Sequence, residues 1–406
     1  MLFQRLNMII RCQRGVALPM ALLTMLILSA LIIAFSMMAA SEPQLANNQL
    51  QVAQARAVAE SGVERAIWAL NNPADPNGIP NPLVTAPAAY NGTTAVPVMV
   101  NGVQMGVFIV SITNGTLANE RNIVATGWTP TNTGTGPKVK QRIQVTVIQA
   151  RFLGPPAPLT VRGEINAGGH ALIDSRSDTS CGTKVGSYSK GQTDVGGSAG
   201  IYGAQDGNNT KNQAGDMAQN QPDASFDQYT YSSMELSALK ALAKKNHTYY
   251  SGAQVSSLSF NSSNKMPNGI IYVDTVSGQD IDKNGVGTTP TSDFASLDIH
   301  GNAPLDASGV FKGMLIVAGS LSISGNFQMN GMIYVQNDFT YQGTGTGQIN
   351  GAVISQNVRD TSATSIDTDT GGNSTIIWNC SYAKTGGGQL PQTFTIEPGS
   401  YKEISG

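Results

Sequence analysis

Few residues in this 406-residue chain have the type and spacing that chemistry demands. Asp280, Asp282 and Asn284, followed by Gly285, offer side-chain oxygens at alternate positions before a glycine that permits a sharp turn. A calcium loop begins this way. Its twelfth position should be a bidentate Glu and is Thr291, with Asp293 the nearest substitute, and its ninth is Thr288. Two readings stay open, a calcium clip, structural or regulatory, and an ordinary polar turn. Gly196-Gly197-Ser198-Ala199-Gly200 has the letters of a nucleophile elbow but sits in a Gly-rich loop, where the elbow needs a strand before it and a helix after it. His170, His247 and His300 are isolated, without metal-ligand spacing to one another. Gly343-Thr344-Gly345-Thr346-Gly347 lacks the Lys-Ser/Thr of a phosphate loop. Nothing here requires catalysis, and the expectation is a protein that is not an enzyme.

The element that must position everything else lies at the N-terminus. Val16 to Ala40 carries no charge, and its only polar residues are Thr24, Ser29 and Ser36. Roughly 25 residues at about 1.5 Å each span a ~30 Å hydrocarbon core. Arg5, Arg11 and Arg14 precede the run and no such cluster follows it, which places the N-terminus in the cytoplasm and the bulk of the chain outside. Cleavage near Ala40 as a secretory signal is the competing reading, and the apolar run is far too long for it. Beyond the run, Val52, Ala55, Ala59, Val63, Ala66, Ile67 and Leu70 recur at helical spacing. Pro43 should interrupt or bend the helix.

The sequence Gln13-Arg14-Gly15-Val16-Ala17-Leu18, with Ala59-Glu60-Ser61-Gly62-Val63-Glu64-Arg65-Ala66 closing the helix, resembles PilX-type minor pilins of type IV pili. The first part is also similar to the tip pseudopilin of type II secretion. The resemblance covers roughly residues 10 to 150. It implies that a prepilin peptidase cuts after Gly15, that Val16 becomes the methylated N-terminus, and that the helix packs against other pilins and minor pilins. Pilins usually carry Glu at the fifth mature position, and here that residue is Met20. The missing carboxylate implies a minor subunit at the filament tip. The implied location is the inner membrane with a periplasmic C-terminal part, then the pilus or cell surface.

Composition agrees with export. Lys and Arg total 24 against 26 acidic residues, so the net charge of −2 gives no nucleic-acid footprint. Charged residues are 12% of the chain beside 45 glycines, a pairing that suits extracellular β structure rather than a cytosolic helical enzyme. With Cys12 lost in the leader, Cys181 and Cys380 remain as an even pair in an oxidising space and are expected to form a disulfide; two free thiols are the alternative.

The fold class expected is α+β. Residues 1–15 are a prepilin-type leader and 16–72 a transmembrane and spine helix. Residues 73–153 begin with a proline-rich linker and continue as a small antiparallel pilin-like sheet. There Asn101-Gly102 marks a hairpin, and Ile143, Val145 and Val147 alternate with Arg142, Gln144 and Thr146. After Gly154-Pro155-Pro156-Ala157-Pro158, residues 154–406 are expected to form a β-solenoid-like domain. Gly313, Gly319, Gly325, Gly331, Asn337 and Gly343 mark a six-residue step, with apolar residues two and four places after each of the first five. Each hexad reads as a turn and a short strand with one buried face. Leu159, Ile165 and Ala171 carry the same step, so residues 176–300 read as an insertion between courses. Within it, Ser232 and Glu235 have capping-box spacing before a helix. A membrane-anchored β-helix adhesin or carbohydrate-active protein is the alternative of a different class. Its enzymatic form predicts acids along one face, and the hexads hold one, Asp338.

Overall fold

A computed structural model describes residues 17–80, 83–116, 119–135, 138–149, 151–204, 210–281, 289–359, 366–389, 394–397 and 399–404. Helix α1 (Ala17–Asn71) runs for 55 residues and passes through Pro43 without interruption, where an interruption or a bend was expected. Proline there removes one ladder bond. A break would instead create two new ends, each with several unpaired backbone groups, and the good helix formers on both sides favour continuation.

Strands β1 (Asn91–Val100), β2 (Val103–Asn114), β3 (Glu120–Thr129) and β4 (Val139–Gln149) form an antiparallel meander. Asn101 and Gly102 both take positive φ, and Val100 pairs with Val103, as a two-residue hairpin requires. Ile143, Val145 and Val147 point into a core shared with Val58, Ala59, Val63, Ala66 and Leu70 of α1. Small residues on the helix let it lie close on the sheet.

The rest of the chain is mostly parallel sheet. Strands β5 (Leu159–Val161), β6 (Glu164–Ala167) and β7 (Leu172–Asp174) make one course, and β8 (Ser187–Ser189), β9 (Thr193–Val195) and β10 (Gly200–Tyr202) stack on it. Beyond these, β11 (Met217–Ala218) pairs with β8. Helix α2 (Ser233–Lys245) follows. The chain then starts a new course with β12 (Tyr249–Tyr250) and β13 (Leu258–Phe260). It continues through β14 (Gly269–Val273), β15 (Ala295–His300), β16 (Val310–Val317), β17 (Gly319–Gly325), β18 (Gln328–Val335) and β19 (Phe339–Gly343). Last come β20 (Gln348–Ser355), β21 (Ile366–Gly372) and β22 (Thr375–Trp378).

This last course pairs with the first: β20 with β5, β21 with β6 and β22 with β7. The chain therefore winds outward, crosses over, and winds back until its end meets its beginning. Residues 176–300 are thus no insertion. The strands from 187 to 202 and from 249 to 300 are courses of the same two sheets.

The hexad reading is corrected in one respect. Gly313, Gly331 and Gly351 lie inside eight-residue strands and pair in a ladder, Gly313 with Gly331 three hexads on. A Cβ on Gly331 would stand 1.8 Å from the Gly313 carbonyl oxygen, so the ladder has no room for side chains. The predicted inward residues, among them Leu315, Leu321, Phe327, Ile333 and Phe339, are all buried. The sheet containing β16, β18 and β20 is covered on its other face too, where Ile316, Tyr334 and Ile354 pack beneath α2 and α3 (Cys380–Thr385). The run Met314-Leu315-Ile316-Val317 carried that signal, since a strand buried on both faces reads as continuously apolar.

The C-terminus returns to the first sheet. Strands β23 (Phe394–Ile396) and β24 (Lys402–Ile404) pair antiparallel with β4, and Phe394 is buried in the core against α1. The expected 154–406 unit therefore gives its last strands to the N-terminal sheet.

Candidate functional site

Among the described residues, most of the exposed large apolar side chains lie on α1. From Ala17 to Leu50 every described side chain is exposed, Met20 included, whereas Ala55, Val58, Ala59, Val63, Ala66, Ala69 and Leu70 are buried. The helix is long and apolar enough to cross a membrane. Of the predicted stripe, Val52 is exposed, because the sheet begins to cover the helix only past it. Gly15 and Val16, the expected processing residues, lie outside the described residues.

The far end of α1 is strapped by the C-terminus. The Asn71 amide nitrogen donates to the Phe394 carbonyl at 3.2 Å, and the Phe394 N–H donates back to Asn71 Oδ1, so one side chain imitates a strand edge. Arg56 pairs with Glu60 and Glu403 at 3.0 Å each, and the Tyr401 hydroxyl donates to Glu60 at 3.0 Å. Glu60 and Tyr401 raise the already high Arg56 pKa through hydrogen bonds.

The junction between the first sheet and the parallel sheets is built on the N-terminus of α2. The capping box forms, with Ser232 N donating to Glu235 Oε2 at 2.8 Å and Glu235 N donating to Ser232 Oγ at 3.3 Å. The other carboxylate oxygen accepts from Asn119 of the β2–β3 connection at 3.2 Å and from Arg151 of the linker at 3.1 Å. One buried carboxylate thus ends a helix and joins two layers.

Of the predicted calcium residues, the two described ones, Asp280 and Asp293, each have other partners. Asp282 and Asn284 lie outside the described residues. Asp280 accepts from Lys240 Nζ at 2.7 Å, and the same ammonium binds buried Asp274 at 2.8 Å and the Gly278 carbonyl at 3.3 Å. The Lys240 ammonium is thus ion-paired to both Asp274 and Asp280. Burial lowers its pKa, but the hydrogen bonds to Asp274 and Asp280 outweigh this, and the net shift is upward. Asp293 instead accepts from the Ser277 backbone at 2.7 Å and its hydroxyl at 2.6 Å. Among the described residues no group of three His, Cys, Asp or Glu side chains could hold a metal.

Cys181 and Cys380 are disulfide-bonded with Cα atoms 5.9 Å apart. They follow β7 and β22, so the bond lies beside the pairing that joins first and last courses. Ser198 sits in the turn between β9 and β10 with no helix after it, so the elbow is absent. His170 and His247 lie in separate turns, and His300 on β15 contacts Ser324 at 2.9 Å.

Sequence reasoning missed a row of polar side chains on the outer face of the other parallel sheet. Asp298, Ser322, Thr340, Asp369, Asn166 and Asp194 are in register across successive strands. The acids come from outside the hexads, so counting within the hexads could not find them. Asp369 is held by Asn166 and Gln342 at 2.8 Å each, an arrangement that orders the face and leaves that carboxylate occupied.

No protein-family model matches the sequence, and no curated protein is similar to it. Among solved structures, the chain is similar to the competence-associated pilin ComZ from Thermus thermophilus, at 12% identity and a TM-score of 0.25, over 87% of this chain and 97% of that one.

Proposed function

We propose that the protein is a non-enzymatic, PilX-type minor pilin of a type IV pilus. The observation that carries this reading is the division of α1 into an apolar half exposed on all sides and a second half whose stripe is buried under an antiparallel sheet. A lone anchor needs only the first half. A helix that first crosses the membrane and then packs in a filament needs both, because the same apolar face leaves lipid and meets other subunits' helices.

In this reading a prepilin peptidase cuts after Gly15, Val16 becomes the methylated terminus, and the inner membrane holds the subunit with its β part in the periplasm. Met20 gives no carboxylate to pair with a neighbour's terminal amine, so the subunit occupies the tip. The two parallel sheets act as a β-solenoid displayed outward.

The test is the intact mass and N-terminal sequence of membrane-extracted protein from cells with and without their prepilin peptidase. A methylated chain starting at Val16, made only when the enzyme is present, supports the reading. A start at Met1 or near Ser41 removes it. Met20→Glu should move the subunit from tip to shaft, and unchanged labelling of both positions would refute the tip assignment.

A further inference from the structure

We infer that a neutral oligosaccharide binds across the turns that follow β13, β15 and β17. Between those turns lie two cavities of about 410 and 480 Å³, and they share Ser262, Gly301, Asn302 and Asn326. They are two ends of one trough passing over Gly301-Asn302. The trough exists because the turns differ in length: 261–268 and 301–309 project, while only 326–327 separates β17 from β18. Its floor is backbone against backbone, since a Cβ on Gly301 would lie 2.4 Å from the Asn326 nitrogen.

The chemistry of the walls selects the ligand class. The side chains of Ser262 and Asn302 make no hydrogen bond to any described residue, and the Asn326 amide nitrogen is likewise uncommitted, its oxygen only accepting from Thr344 at 3.5 Å. The charged residues beside them are already engaged. Lys265 donates to the Asn302 carbonyl, and Asp306 accepts from Lys312 at 3.3 Å and Asn268 at 3.1 Å. Hydrogen bonds from Ser308 come first among the causes that hold the Asp306 carboxyl below the usual carboxylate range.

An apolar ligand would find little to cover it here. A metal ion would find the one lining carboxylate, Asp306, already paired with Lys312, and a phosphate would find a single cation, Lys265, which is hydrogen-bonded to the Asn302 carbonyl. Hydroxyls and carboxamides each donate and accept, so they suit a ligand dense in hydroxyl groups that do the same. An extended trough along the stack suits a chain of such units, with water bridging where contacts are long.

The inference does not rest on the pilin reading. The experiment uses full-length protein in detergent and follows saturation-transfer NMR with maltohexaose, cellohexaose, xylohexaose and chitohexaose in turn. At least one should bind saturably with a Kd tighter than about 1 mM. Raising NaCl from about 0.1 to about 1 M should leave that affinity unchanged, because no ionic contact is involved. Asn302→Leu and Ser262→Trp, both on exposed turns, should each weaken binding by about tenfold or more at unchanged Tm. The inference is overturned if none of the four sugars binds saturably, if salt abolishes binding, or if both folded variants bind as the parent does. An uncut N-terminus would refute the pilin reading and leave this result untouched.

Discussion

The Oε1 atom of Glu235 accepts from Nε of Arg151 at 3.1 Å, and through that contact the cap of a helix in the second half of the molecule holds the linker from the first. Glu235 is 3% exposed, so removing it leaves Arg151 Nε, the Asn119 amide and the Ser232 N–H without their buried acceptor. Glu235→Ala should cost about 2–4 kcal/mol. Glu235→Gln keeps an acceptor for Ser232 and should cost less. Denaturant titration of both variants, with limited proteolysis across residues 151–158, checks the order.

The disulfide closes a loop of sequence separation 199. Loop-closure entropy makes that worth on the order of 5 kcal/mol, less any strain. The double variant Cys181→Ser, Cys380→Ser should therefore unfold at clearly lower denaturant than the oxidised parent, and reducing the parent should reproduce the loss.

Gly331→Ala forces a methyl to within 1.8 Å of a backbone oxygen in a ladder of paired glycines. No rotamer relieves this, because the clash is at Cβ, and a loss of about 4 kcal/mol or more is expected. Gly388→Ala, where a Cβ meets nothing and only positive φ opposes it, should cost about 1 kcal/mol. Comparing the two by thermal unfolding separates crowding from backbone strain.

Phe394 is 2% exposed and fills the first core from the C-terminal strand. Phe394→Ala should cost about 3–5 kcal/mol. It should also raise hydrogen exchange in β4 and around Asn71, far from it in sequence. Exchange confined to residues 394–404 would show the strap to be dispensable.

The Arg162 guanidinium, foremost by hydrogen bonding and with help from Lys190, holds the Asp223 carboxyl well below the usual carboxylate range against a desolvation penalty. A lowered folded-state pKa means stability that is complete above the unfolded value near 4 and is lost as pH falls through the folded one. Melting should therefore lose this contribution only below about pH 4. Asp223→Asn should be the less stable protein at pH 7, and the gap should narrow on acidification.

What sequence alone determined is local. The uncharged run after Gly15, the Asn101-Gly102 turn, the alternation at Ile143, Val145 and Val147, the Ser232–Glu235 cap and the inward hexad residues each depend on neighbours a few positions away. Period and turn chemistry express such dependence directly. The order of the courses was not legible, because every course carries nearly the same pattern and any could stack on any other. That choice is made by β20, β21 and β22 meeting β5, β6 and β7, beside the Cys181–Cys380 bond. The same holds for Phe394 in the first core, Lys240 on Asp280, and the trough over Asn302. Each joins residues whose separation in the chain gives no periodic signal, so only the closed tertiary structure decides it.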